Sequence, residues 1–237
     1  MTLLHQILAE PLAHLLFWSV VTIGLYGVAK QLHRRWPRWW LTPLAIAPIL
    51  IAAVILGLRG SYADYIHGTK WLVLLLGPAT VAFGVPIYEQ RALIRRHWPI
   101  LLIGMAAGTL VSIATSWGLA TLVGLDGTLR LSLLPRSIST PFAMEVSGDI
   151  GGAPALTAVF VVVTGVAGAV IGDLILARMP IVSSLARGAL FGLGAHGAGT
   201  ARAHQIGETE GAVSGLVMVL VGVLNVLAAP LVSHLLR

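Results

Sequence analysis

The sequence predicts an all-α integral membrane protein, with about six full spans plus re-entrant or discontinuous helices broken by proline and glycine. Three observations predict it. Of 237 residues, 57% are hydrophobic and only 10% are charged, with a mean hydropathy of +0.91. Soluble domains carry about 25% charged residues, so this chain lacks the charge to cover a water-facing surface. Several apolar runs reach the roughly 20 residues needed to cross a hydrocarbon core about 30 Å thick. The basic residues gather in short stretches between those runs, where they set orientation rather than form a nucleic-acid-binding face. Length leaves room for little else, so a single polytopic membrane domain over residues 1–237 is expected. The chain has no cysteine, which excludes disulfides, thiolate metal sites and cysteine nucleophiles.

Taken in order, Met1 to Glu10 has no basic n-region and no small-residue cleavage site follows, so the first span, near Leu12 to Ala29, is expected to remain as its own insertion signal. Lys30, Arg34, Arg35 and Arg38, interleaved with Trp36, Trp39 and Trp40, mark a cytoplasmic interface. A second span runs near Leu41 to Leu58 and a third starts near Trp71. Arg91, Arg95, Arg96 and Trp98 form a second basic stretch before a span from about Pro99 to Val123. Two basic loops separated by two crossings place the N-terminus outside. Ala153 to Ala177 is a further span, ending near Arg178 and Arg187, and the last runs from about Gly211 to Leu231.

Three apolar segments are interrupted. The first is Gly77 to Pro86, with Pro78 and Pro86; the second is Leu134 to Pro141, with Pro135 and Pro141; the third is Gly192 to Thr200, with Gly194, Gly197 and Gly199. Each precedes one long apolar span, which hints at an internal repeat. Proline removes a backbone donor and clashes with the preceding turn. In hydrocarbon, broken backbone survives only where protein or a water-filled cavity satisfies it, the arrangement of transporter binding sites. The second segment carries the heaviest cost. Arg136, Glu145 and Asp149 at depth would cost roughly 8–10 kcal/mol, while the neighbouring aliphatics return at most about 4 kcal/mol. Such a segment must line a cavity or pack inside protein. If the Arg178 and Arg187 loop is cytoplasmic, Leu131 to Ile150 enters and leaves on one side as a re-entrant hairpin.

The run Pro135 to Ala143 (Pro-Arg-Ser-Ile-Ser-Thr-Pro-Phe-Ala), followed by Gly151-Gly152 and Ala155 to Val159, resembles the signature of the LrgB/CidB family. So do Gly77 to Thr80 with Pro86-Ile87-Tyr88, and Ala195 to Arg202 with Glu210-Gly211, all in order from about Trp71 to the C-terminus. The resemblance implies a protein of the bacterial cytoplasmic membrane, with a small LrgA/CidA-type membrane partner and a homodimeric assembly. It implies two functions. One is an antiholin-like regulatory subunit affecting murein hydrolase export and autolysis. The other is a carrier of small monocarboxylates: pyruvate, or the glycolate and glycerate handled by the related plastid-envelope translocator.

The residues favour the carrier. Arg136 can fork onto a carboxylate with parallel hydrogen bonds, and Ser137, Ser139 and Thr140 can donate to a 2-hydroxyl or 2-oxo group. The alternative is that Arg136 pairs internally with Glu145 or Asp149. His196, in the glycine-rich break, can contact substrate or carry a proton, or else anchor re-entrant carbonyls. Thr80, just after Pro78, faces the cavity or bonds its own helix. Glu145 and Glu210 are candidate proton carriers, with capping or interfacial roles as the alternative. Asp173 is expected to meet Arg178 or water, Asn225 to bond a neighbouring helix, and His97 and His204 to lie in loops. No nucleophile–base or metal-ligand spacing stands out, so neither an enzyme, a metal site nor a cofactor is expected.

Overall fold

The computed structural model describes residues 10–36, 38 and 41–235. Trp39 and Trp40 of the expected interfacial cluster, and the N-terminal residues before Glu10, lie outside the described residues. Every element described is helical, and five stretches are long and apolar enough to cross a membrane: Leu12–Arg35, Tyr62–Glu89, Arg91–Leu122, Pro154–Arg178 and Glu208–Leu231. This is an all-α membrane protein. The second expected span is shorter than the reading of the sequence had it. It is the helix Pro43–Gly57, of 15 residues, about 22 Å at 1.5 Å per residue.

The helices cluster in two compact units, Met1–Ala79 and Thr80–Arg237. The first holds α1 (Pro11–Arg35), α2 (Pro43–Gly57) and α3 (Tyr62–Leu74). Its centre is Trp18, 2% exposed, whose ring lies against Gly68 and edge-on to Tyr65 at 5.4 Å. The indole of Trp71 donates to Ser19 Oγ at 2.7 Å. A capping box between Ser61 and Asp64 starts α3, satisfying amides that have no partner within the helix.

The first expected break follows the prolines closely. The helix α3 ends at Leu74, α4 covers Leu76–Ala82, and α5 covers Gly84–Glu89. Leu74 and Ala82 sit four residues before Pro78 and Pro86, where the missing proline N–H leaves a carbonyl without its helical donor.

The second unit continues with α6 (Arg91–Leu122), α7 (Gly127–Leu133), α8 (Thr140–Asp149), α9 (Pro154–Arg178), α10 (Ser184–Ile206) and α11 (Glu208–Leu235). Of its apolar spans α11 is the most enclosed, with 56% of its apolar window buried against 17% for α6 and α9. Leu134, Ile138, Phe142, Val146 and Ile150, buried at every fourth position, join Val213, Val217 and Val221 of α11 in the core. The Phe142 ring fits against Gly222, which has no side chain to displace it.

Two hairpins invade this unit from opposite ends of α9. The first runs from Ser132 to Ala153. The Ala153 amide donates to Ser132 Oγ at 2.8 Å, and Thr157 Oγ1 donates to the Ser132 carbonyl at 2.9 Å, so its two ends lie side by side at the start of α9. Gly151, at φ 87°, makes the turn between them and α9, a conformation that glycine adopts without penalty. The second hairpin is α10 itself. Its first arm climbs along α9, with Phe191 against Gly172, Ala195 against Gly168 and His196 against Gly165. Its second arm descends again, since Arg202 meets Asp173 with Nε 2.8 Å from Oδ1. The same return is visible along α11, where Gly188 and Gly192 pack on Val213 and Ser214, and His204 then lies against Gly211. The third broken segment is therefore re-entrant, with its tip at His196.

The third break falls on His196, with φ 37° and ψ −119°, rather than on the glycines around it. Gly194 and Gly197 face open space, and Gly199 packs against the carbonyl of Phe191 in the opposite arm. Of the three, Gly199 serves the close approach of the two arms. The basic stretch before Pro99 is also helical, because α6 begins at Arg91. Arginine is a good helix former, so a helix outruns its apolar window, and His97 and His204 lie in helices instead of loops.

Gly192→Ala should lower stability by about 1–3 kcal/mol through overpacking, because its Cβ would run into the Ser214 backbone. Thermal unfolding in detergent checks this, with Gly194→Ala, which meets nothing, close to the wild type.

Candidate functional site

The two hairpin tips meet beside Thr164 and Gly165 of α9. Thr164 lies 10 residues after Pro154 and 14 before Arg178, about 15 Å and 21 Å from the two helix ends. The junction thus falls near mid-span. Arg136 occupies the turn between α7 and α8 and is half-buried. Its Nε donates to Ser116 Oγ of α6 at 2.9 Å, and its Nη1 donates to Thr164 Oγ1 at 3.4 Å. Both partners are neutral hydroxyls. Glu145 and Asp149, the expected internal partners, are exposed on α8, and the ion pairs among the described residues are Arg130–Asp126 and Arg202–Asp173. The guanidinium therefore keeps an uncompensated positive charge at membrane depth, together with unused N–H donors.

Beside Arg136 lies an open-sided cavity of about 380 Å³ between α9 and the first arm of α10, with Val163 and Ile171 exposed at its rim. Arg136 and Thr164 supply its polar end, and Val163, Ile171, Ile175 and Leu190 supply much of its wall. Gly168 lies so close to the Gly194 carbonyl that a Cβ there would collide with it. Two helix N-termini start near the tips, α8 at Thr140 and the second arm of α10 after His196. Their unpaired amides give partial positive charge where a half-helix begins.

His196 is 4% exposed. Its ring is enclosed by Gly165 and the main chain of Arg136, and its Nε2 has no hydrogen-bond partner. It links the two tips rather than lining the cavity. Its backbone sits near the first central position of a type II′ turn, which glycine normally fills. A residue with a Cβ pays about 1–3 kcal/mol there.

The other candidates separate. Ser137 is occupied, accepting from Ser112 Oγ of α6 at 2.6 Å. Ser139 Oγ is buried without a hydrogen-bond partner, and Thr140 opens α8. None of the three lines the cavity: the Arg136 side chain spans from Ser116 of α6 to Thr164 of α9, while Ser137 is held on α6 by Ser112. Thr80 is half-buried in α4 and is also absent from the lining. Glu145 is exposed, and Glu210 is buried at the base of the second hairpin, in the first turn of α11; neither reaches the cavity. Pro135 and Pro141 flank the Arg136 turn, Pro141 within the first turn of α8. Asp173, expected beside Arg178 or water, instead pairs with Arg202, because the return of the hairpin brings residues 29 apart together. Asn225 donates to Thr109 Oγ1 of α6 at 3.2 Å, the interhelical bond expected of it.

A hydroxyl cluster ties the base of the first hairpin. Thr157 Oγ1 bonds Ser147 Oγ at 2.7 Å as well as the Ser132 carbonyl, and all three residues are fully buried. The reading of the sequence missed Ser116, Thr164, Ser132, Ser147 and Thr157. Their signal was faint: small hydroxyl residues within apolar runs, each able to bond its own helix.

The chain matches the model of the LrgB-like family over residues 22–235. It belongs to that family. Among its curated relatives is the uncharacterized protein YwbG of Bacillus subtilis, 36% identical over 89% of this chain and 93% of the relative. The antiholin-like protein LrgB of Bacillus subtilis is 31% identical over 92% and 95%. The holin-like protein CidB of Staphylococcus epidermidis is 30% identical over 89% and 92%. No solved structure matches. The motifs around Arg136 and His196 that carried the resemblance thus sit at the two hairpin tips of an LrgB-like protein.

His196→Gly should be more stable than His196→Ala by about 1 kcal/mol or more, since only glycine is relieved at this backbone position. That order reverses the usual one inside a helix, where alanine exceeds glycine by about 1 kcal/mol. Thermal unfolding of both variants measures it. Thr157→Val should cost about 1–3 kcal/mol by leaving buried acceptors unsatisfied, read in the same assay.

Proposed function

We propose that this LrgB-like protein carries small monocarboxylates, of the pyruvate, glycolate or glycerate class, across the bacterial cytoplasmic membrane, and that it binds the carboxylate at Arg136. One observation carries the reading: a half-buried guanidinium at mid-span that is held by Ser116 and Thr164 hydroxyls, has no carboxylate partner among the described residues and faces an open cavity. A charge at a span's centre costs about 2.5–3.5 kcal/mol. An anion that binds there supplies the missing countercharge, and charged groups within membrane proteins mark substrate paths. Opposed hairpins with their tips at mid-span also suit alternating access, since movement of either arm opens the cavity toward one side. The proposal places the N-terminus outside, includes no catalytic step, and takes from the resemblance a small LrgA/CidA-like membrane partner and a homodimeric state.

The second reading is an antiholin-like regulatory subunit acting on murein hydrolase export and autolysis. The names of the curated relatives, antiholin-like LrgB and holin-like CidB, favour this reading over the carrier. The two readings part on uptake.

Purified protein in liposomes, with and without a small LrgA-like partner, should take up labelled pyruvate or glycolate. Arg136→Gln should weaken uptake roughly 10- to 100-fold, the loss of one charge-assisted interaction, while the variant stays monodisperse. Uptake unchanged in that variant removes Arg136 from the site. No uptake under any gradient or partner condition leaves the regulatory reading.

A further inference from the structure

The cavity is chemically one-sided. Its polar side chains are those of Arg136 and Thr164; beyond them the wall runs through Val163, Ala167, Ile171 and Ile175 of α9, with Leu190 opposite. Thr164 to Ile175 spans 11 residues of one helix, a groove about 16 Å long. The hydroxyls that could have read a 2-hydroxyl or further hydroxyls are elsewhere: Ser137 is bonded to Ser112, and neither Ser139 nor Thr140 borders the cavity.

From this we infer, on the basis that Arg136 binds the carboxylate, that among small monocarboxylates the preferred ligand is an aliphatic one of about four to six carbons in all, short-chain fatty acids and their branched 2-oxo counterparts, with the hydroxylated members of the proposed class bound more weakly. The carboxylate meets Arg136 and Thr164, and the tail runs along α9 toward Ile175. A hydroxyl on that tail would lose water and find no side-chain partner, whereas each buried methylene gains affinity. A second carboxylate, as in succinate, would be placed against isoleucine and valine with no cation to meet it. The volume of about 380 Å³ leaves room for the longer members of the series.

The test is a homologous series. Labelled butyrate is bound to the purified full-length chain in detergent and displaced with propionate, butyrate, pentanoate and hexanoate, and with pyruvate, glycerate and succinate. Affinity should rise about fourfold for each added methylene, and glycerate and succinate should bind at least tenfold more weakly than butyrate. Hexanoamide, uncharged, should not displace, and Arg136→Gln should lose the whole series; both separate binding from partition into detergent. Ile171→Asn, about 10 Å along α9 from Thr164 and so within reach of a six-carbon chain, should flatten the rise beyond butyrate, with its thermal unfolding recorded to show that it folds. A series that is flat or falls with chain length, or glycerate binding as well as butyrate, overturns this inference and leaves the carboxylate site at Arg136 intact. Labelled pyruvate that binds directly while butyrate does not bind has the same meaning. Failure of every carboxylate, pyruvate included, removes the Arg136 site and this inference together.

Discussion

Close approach of backbones along α9 is the condition on which the rest of this structure depends. Gly165 and Gly172 leave room for the His196 and Phe191 rings of the first arm of α10, and at Gly168 the neighbour is the Gly194 carbonyl itself. Without a hydrophobic drive between helices in lipid, association rests on such packing and on hydrogen bonds between helices. Gly188 and Gly192 do the same on the α11 side. A hairpin that carries a helix break can be inserted between two spans only if both faces are this shallow.

Once inserted, the break has to be satisfied. His196 holds a backbone conformation suited to glycine, and its ring is enclosed between Gly165 and the Arg136 turn. Strain of this kind persists where the surroundings overdetermine it. The first hairpin is held differently, through the Ser132, Ser147 and Thr157 hydroxyls at its base and the Phe142 ring on Gly222. One hairpin is tied at its base and the other is strained at its tip. Between them stands a cation that two hydroxyls orient but do not neutralise, so binding, packing and membrane insertion all converge on one mid-span position.

That convergence also accounts for how the site residues divide. Arg136 and His196 are close because the hairpins enter from opposite ends of the same helix. Glu145 and Glu210 are not at the tips, because one lies on the outward side of α8 and the other at a hairpin base. Asp173 and Arg202, which sit beside different loops in a linear reading, are joined because the chain doubles back.

The sequence by itself determined the membrane class, the places where helices break and the cost of Arg136, since apolar run length, proline's missing donor and the desolvation of charge are all local properties. It also determined the family, through residues at the two tips, and the first hairpin followed from counting basic loops. Only the tertiary structure decided that α10 turns back at His196, that Ser116 and Thr164 rather than a carboxylate hold Arg136, and that Ser137 faces α6. A glycine-rich helix can run straight or fold on itself with the same composition. A serine in an apolar run can bond its own carbonyl or another helix. Which occurs depends on the neighbour that packs there, and that neighbour lies tens of residues away in the chain.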